Sequence, residues 1–254
     1  MSKKIELFMS VALLFCTVSL ARLGALYVQS RVAPDRTHYM QSISTEDSAL
    51  TEHLEPERPM SSFCIVIDAG HGGADPGKVG VNNILEKDIN LSIALQLAEK
   101  LENAGISIVL TRDSDVDLAG GASNFKSADM RNRCTLITEA NPIFTISIHQ
   151  NSYPSEKVTG AQVFYFTESE EGKALATTLQ NSLITNVDPS NKRQPKANDS
   201  YYLLKKTGTP IVIVECGFLS NYAEAEKLVT EEYQEKIAWA LHMGILHYLN
   251  GTDD

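Results

Sequence analysis

Four residues in this 254-residue chain carry side chains that could do chemistry together. His71 stands in Asp68-Ala69-Gly70-His71-Gly72-Gly73, His149 in Ile146-Ser147-Ile148-His149-Gln150-Asn151, and Glu215 in Val214-Glu215-Cys216-Gly217-Phe218. Each motif closes an apolar run, and Glu86 ends the Gly-containing stretch after His71, just before a helical pattern. Two imidazoles and a carboxylate with an open fourth position make the ligand set of a catalytic zinc ion. Such an ion draws the pKa of water toward ~7 and polarises a carbonyl. A second carboxylate nearby can take the water proton and pass it to a leaving amine. His71, Glu86, His149 and Glu215 together meet that description. Gly70, Gly72 and Gly73 permit irregular backbone close to an ion or ligand.

The residues alone leave a plainer reading open. A histidine at a strand end is commonly a hydrogen-bonded structural residue, and a glutamate opening a helix complements its dipole. Glu215 resists that reading, because a carboxylate closing Ile211-Val212-Ile213-Val214 needs a cation or a function. The other histidines read as structural. His38 and His53 fall in an N-terminal linker, and His242 and His247 lie five apart on a terminal helix without sharing a face.

The elements that must position the four residues alternate in type. Residues 63–67 form an apolar run that reads as a buried strand. Over 87–103 the recurrence of Leu91, Ala94, Leu95, Ala98 and Leu101 predicts a helix, with Gly105 just past its end. A strand at 106–110, a loop at 113–125 and a helix at 127–140 follow. Strands at 143–148 and 162–166 precede a helix at 170–184, and a polar loop holds Pro189 and Pro195. The strand 211–214 and helices at 224–228 and 232–248 complete the pattern. Strands separated by helices predict one α/β/α domain with a largely parallel sheet. Ligands in such sheets gather at the carboxyl ends of strands, where the four residues cluster.

The N-terminus has a different grammar. Lys3 and Lys4 precede an apolar run from Leu7 to Ala21, closed by Arg22, and Ser19-Leu20-Ala21 offers small residues for cleavage. A second apolar patch from Leu23 to Val28 brings the stretch to the ~20 residues of a membrane span. Residues 1–28 therefore read as a cleaved signal peptide or a retained membrane anchor, and either one exports the protein. Phe15 beside Cys16 argues against a lipoprotein signal. Residues 29–61, rich in Pro, Ser and Thr, read as a polar tether, leaving 62–254 as the folded domain.

The formal net charge is −10. Residues 1–60 hold six Lys and Arg against seven Asp and Glu, so 61–254 hold 16 against 25, a net −9. A domain so acidic lacks the basic face that nucleic acid requires. Lys192, Arg193 and Lys196 form its densest basic patch, either a solvated loop or a contact for anionic substrate. The four cysteines show no paired spacing, and Cys64 and Cys216, inside apolar runs, read as buried free thiols.

At these motifs the chain resembles a known family. Residues 67–73, Glu86-Lys87, Ser147-Ile148-His149-Gln150-Asn151 and 214–221, with Thr111-Arg112 and 133–141, resemble the zinc-dependent N-acetylmuramoyl-L-alanine amidases of the amidase-3 type over about residues 62–250. The resemblance implies one zinc ion held by His71, Glu86 and His149, with Glu215 as catalytic carboxylate. It further implies a six-stranded sheet flanked by helices, phosphorylase/hydrolase-like, and peptidoglycan as substrate. The bond cut would join the lactyl group of N-acetylmuramic acid to L-Ala of the stem peptide. Asp117-Leu118-Ala119, Asp129-Met130-Arg131-Asn132-Arg133 and Gly160-Ala161-Gln162 are most similar to the sporulation- and germination-specific subgroup. That subgroup prepares muramic acid for the muramic-δ-lactam of spore cortex, placing the enzyme in the cell envelope or on the cortex side of a membrane. Residues 166–170 leave no room for the autoinhibitory insertion of division-type relatives, which implies a separate regulatory or activating protein. Gln150 and Cys216 depart from the smaller or apolar residues usual in the family. A catalytically silent wall-binding scaffold and a zinc peptidase of the same fold are the competing expectations.

Overall fold

β-Branched residues dominate Cys64-Ile65-Val66-Ile67-Asp68-Ala69, and they form the first strand, β1 (Cys64–Ala69). In the computed structural model, which describes residues 63–251, five further strands join it. These are β2 (Ser107–Leu110), β3 (Phe144–Asn151), β4 (Gln162–Phe166), β5 (Lys196–Asn198) and β6 (Ile211–Phe218). The sheet order is β2-β1-β3-β6-β4-β5. The first four are mutually parallel, whereas β4 runs antiparallel to β6 and carries β5 with it. The six-stranded, largely parallel α/β sheet expected from the sequence is present. The proposed export segment and tether lie outside the described residues. Among the described residues no helix is long and apolar enough to cross a membrane.

Alternation along each strand divides the core in two. Ile65 and Ile67 of β1, Ile146 and Ile148 of β3, and Val212 and Val214 of β6 face one layer of helices. That layer comprises α1 (Glu86–Asn103), α3 (Glu170–Asn186) and α6 (Glu231–Leu249). Val66, Phe164, Ile211 and Ile213 face the opposite layer, formed by α2 (Phe125–Ala140) and the short α4 (Tyr202–Lys206). A last short helix, α5 (Tyr222–Leu228), packs beside β6. The same alternation turns Asp68, Ser147, His149 and Glu215 toward the α2–α4 side. There they meet at the carboxyl end of the sheet.

Several local expectations shift. The buried stripe of α1 is Ile89, Ile93, Ala94, Leu97, Ala98 and Leu101, while Leu95 is exposed. Apolar residues occupy much of that helix, so spacing alone permits more than one face; packing between sheet and α6 selects one. The strands β3 and β6 run past the predicted 148 and 214, so His149 and Glu215 lie within them. The polar segment after Pro195 contributes β5, a three-residue edge strand whose Lys196-Ala197-Asn198 has no apolar run to announce it. Cys216 is a buried free thiol as expected, but Cys64 is only half-buried and donates from Sγ to the Ala140 carbonyl at 3.3 Å.

Candidate metal centre

Each of the four candidates arrives from a different element. His71 sits two residues past β1 with φ of 62°, a left-handed conformation that turns its ring back over the strand ends. Glu86 is the first residue of α1, His149 is in β3, and Glu215 is the register partner of His149 on β6. His71 Nε2 lies 3.3 Å from Glu86 Oε2, and His149 Nδ1 lies 2.9 Å from Glu86 Oε1. One ligand atom from each of His71, Glu86 and His149 falls within 4.8 Å of the others, so the three could hold a metal ion. The imidazole rings meet edge to face with centroids 5.0 Å apart.

Surrounding groups set this orientation. Asp75 Oδ2 lies 2.8 Å from His71 Nδ1, which leaves Nε2 facing Glu86. The Lys78 backbone amide donates to Glu86 Oε2 at 2.7 Å, and the Gln150 amide donates to Oε1 at 3.0 Å. Asn90 reaches the same Oε1 at 3.3 Å from one turn along α1. Gln150, a departure from the family pattern, lends its backbone here while its side chain donates to Asn90.

The electrostatics are those of a site built for positive charge. Burial opposes a charged His71, yet Glu86 and Asp75 outweigh it and hold its pKa up at about 9. Burial likewise opposes an ionised Glu86, and the two imidazoles overcome it, keeping the carboxyl far below the usual carboxylate range. The same negative groups that favour charge on His71 would favour a metal cation between these side chains. The donor set, two imidazole nitrogens and one carboxylate oxygen, fits zinc.

Glu215 behaves differently. It is 7% exposed, and burial pushes its pKa up to about 7. Its Oε2 is buried without a hydrogen-bond partner among the described residues. Beside it Tyr201, half-buried, is pushed up to about 12 by burial and by the Glu215 charge. A carboxyl poised between its two protonation states, lining the same cleft as His71 and His149, suits proton transfer.

The cleft has a volume of about 290 Å³. Its walls are the first turns of α2, with Lys126 and Met130, and the Tyr201-Tyr202-Leu203 start of α4. Lys192, Arg193 and Lys196 do not line it. Arg193 turns instead to the Thr159 carbonyl at 2.7 Å and Gln162 Oε1 at 3.1 Å, and Lys196 lies over Phe164. Their clustering in sequence does not place them at the chemistry.

Two arginines matched the family motifs without any role in the sequence reading, and the structure supplies one. Arg133 donates to Asp68 Oδ1 at 2.7 Å, to Asp129 at 2.6 Å, and to the carbonyls of Ala69 at 2.8 Å and His71 at 2.6 Å. Arg112 donates to the carbonyls of Ala69, Gly70 and Lys87 at 2.9, 3.1 and 2.8 Å. The backbone that carries His71 therefore hangs from two guanidinium groups. Asp68, Asp75 and Asn90, also missed, complete the support; the one available signal was a charged residue inside or beside an apolar run.

Gly70 has a steric duty. A Cβ there would stand 2.3 Å from Cε1 and Nε2 of His149, which only displacement of the ring relieves. Gly70→Ala is expected to weaken metal binding at least about tenfold, ~1.4 kcal/mol, while leaving a cooperative fold. Calorimetric metal titration alongside thermal melting checks this, and an unchanged affinity would refute it.

Comparison with known proteins agrees with this geometry. Residues 65–247 match the family model described as N-acetylmuramoyl-L-alanine amidase. The germination-specific N-acetylmuramoyl-L-alanine amidase of Bacillus subtilis (strain 168) is 38% identical over 200 residues, covering 77% of this chain and 84% of the relative. The CwlD amidase from Clostridioides difficile, solved in complex with the GerS lipoprotein, superposes with TM-score 0.72 at 41% identity, covering 74% of this chain and 98% of that one. The catalytic domain of CwlV, an N-acetylmuramoyl-L-alanine amidase from Bacillus (Paenibacillus) polymyxa var. colistinus, gives TM-score 0.63 at 29% identity over 74% of this chain and 98% of its own. With the sheet, the His71–Glu86–His149 cluster and the matched span in accord, the chain belongs to the N-acetylmuramoyl-L-alanine amidase family.

Proposed function

We propose that this protein is a zinc-dependent hydrolase of the amide between N-acetylmuramic acid and L-Ala in peptidoglycan, acting in spore cortex maturation toward muramic-δ-lactam. The observation that carries the reading is the convergence of His71, Glu86 and His149 beside a buried Glu215 whose Oε2 has no hydrogen-bond partner among the described residues. The germination-specific relative and the CwlD neighbour support the cortex role. A silent scaffold has no use for a buried carboxylate with one oxygen left without a hydrogen bond, which costs stability.

Zinc held by His71, Glu86 and His149 would supply the positive charge that polarises the amide carbonyl and acidifies water. Glu215 takes the proton of the attacking water and returns it to the departing L-Ala nitrogen. Asp75 keeps His71 in one orientation, and Arg112 and Arg133 keep its backbone in place. Tyr201, Met130 and Leu203 line the cleft that Glu215 shares and give it a largely apolar wall.

Control would come from another protein. Between β4, ending at Phe166, and α3, beginning at Glu170, there is no insertion to cover the site. The CwlD relative, captured with a lipoprotein, supports regulation by a separate partner. Export, by residues 1–28 acting as signal or anchor, places the domain on the peptidoglycan side of a membrane.

The test is incubation of the purified chain on vegetative and cortex peptidoglycan, with and without added zinc. New L-Ala amino termini should appear with zinc and vanish in Glu215→Ala. Separately, His71→Ala and His149→Ala should each lower zinc affinity by about two orders of magnitude or more. Zinc binding unchanged in both would sink the site, and zinc-loaded protein inert on both glycans would sink the substrate.

A further inference from the structure

The α2–α4 cleft is more selective than a passage to the metal ligands requires. Its exposed surfaces are largely apolar, from Met130, Leu203, Ile213 and the tyrosines. Apart from Glu215, whose Oε2 has no hydrogen-bond partner among the described residues, its most deeply buried charged groups are already committed. Arg133 gives all three of its nitrogens to Asp68, Asp129 and main-chain carbonyls, and Asp68 accepts from Thr111, Ser147 and Arg133. Little remains to receive the hydroxyls of a sugar. One cation among the lining residues stays available: Lys126, on the first turn of α2, 68% exposed, with a single contact to Asp75 Oδ1 at 3.0 Å. An ammonium group has three donors, so two are open to a ligand.

We infer that Lys126 recognises a carboxylate of the stem peptide, so that the cleft takes the peptide arm of the substrate and the glycan lies outside it. The inference rests on the amidase reading and deepens it. A short peptide with an alanine methyl followed by an acidic residue matches an apolar cleft with one cation at its rim. Glu215 lines this same cleft, which puts its proton on the side where the L-Ala nitrogen departs. The position also answers the domain's acidity. With a net −9 over residues 61–254, an anionic substrate must be captured by a local cation, and the basic residues 192–196 do not reach the cleft.

The experiment measures binding of the dipeptide L-Ala-D-Glu and of its diamide to the full zinc-loaded chain by calorimetry at low salt. The acid should bind about tenfold more tightly than the diamide, the effect of one charge-assisted hydrogen bond. Lys126→Ala should abolish that preference, Lys126→Arg should keep it, and Lys192→Ala should keep it as well. A preference that persists in Lys126→Ala overturns the inference, as does equal binding of the two peptides by the native chain. If Lys126→Ala and Lys126→Arg lose both peptides alike, Lys126 acts through Asp75, and the inference again fails. Release of L-Ala from peptidoglycan is scored separately. Acid preference that depends on Lys126 without any release would overturn the hydrolase reading while upholding the peptide subsite.

Discussion

Glu215→Gln should abolish hydrolysis while making the metal-free protein more stable, two effects of one buried carboxyl. The amide keeps the shape of the side chain but cannot accept a proton, so turnover should fall by about 10²–10⁴-fold, the usual contribution of a positioned acid–base group. Zinc affinity should survive, because His71, Glu86 and His149 remain. The stability gain follows from linkage. Burial raises the Glu215 pKa from 4.5 to about 7, so the folded state holds this proton more tightly than the unfolded chain does. Stability therefore falls as pH rises from about 4.5 to about 7, and the whole penalty is present above that. Its size is on the order of 3 kcal/mol, an upper limit because unfolded chains retain some structure. Denaturant unfolding of the metal-free protein at pH 5 and pH 8 should show the native chain losing stability across that interval more steeply than Glu215→Gln. Identical pH profiles would refute burial as the source, and retained activity in Glu215→Gln would remove Glu215 from the mechanism.

The same residue marks how much was legible in the sequence. Glu215 stood out because it closes an apolar run, and period-two alternation then placed it on the same side as His149. Glu86 and His71 were legible through the turn signals around them, glycines on one side and a helix start on the other. What escaped was whatever depends on reach across the fold. Arg133 is 65 positions from Asp68, and nothing in either neighbourhood announces that they pair. β5 escaped because an edge strand needs no apolar residues, and the exposed side of Leu95 escaped because the apolar residues of α1 spread over too wide an arc for spacing alone to mark one face. The Lys192 cluster is the converse: density in sequence is not proximity in space. Lys126, a single unremarked lysine, faces the cleft instead because α2 starts there.

Breaking the Arg133–Asp68 pair should have the largest effect on stability. Both side chains are at most 2% exposed, and the guanidinium also holds Asp129 and two carbonyls. Burial by itself would raise the Asp68 pKa, but Arg133, with Ser147, overcomes it and draws it down to about 2. Since the folded value lies below the unfolded 3.8, the pair's stabilisation is present above that pH and is lost as pH falls toward 2. Arg133→Ala strands Asp68 as an uncompensated buried charge, a change that costs about 3–5 kcal/mol. For a domain of this size the melting temperature should drop by roughly 6–20 °C. Arg133→Lys should rescue little of it, because one ammonium cannot span Asp68, Asp129 and the Ala69 and His71 carbonyls at once. Arg133→Ala combined with Asp68→Asn removes the stranded charge and should recover part of the stability. It should not recover zinc affinity, since the His71 carbonyl has still lost its anchor. That separation tests the argument: if the double variant regains both fold and metal, Arg133 serves only to neutralise Asp68, and the ligand-bearing loop holds its shape without it.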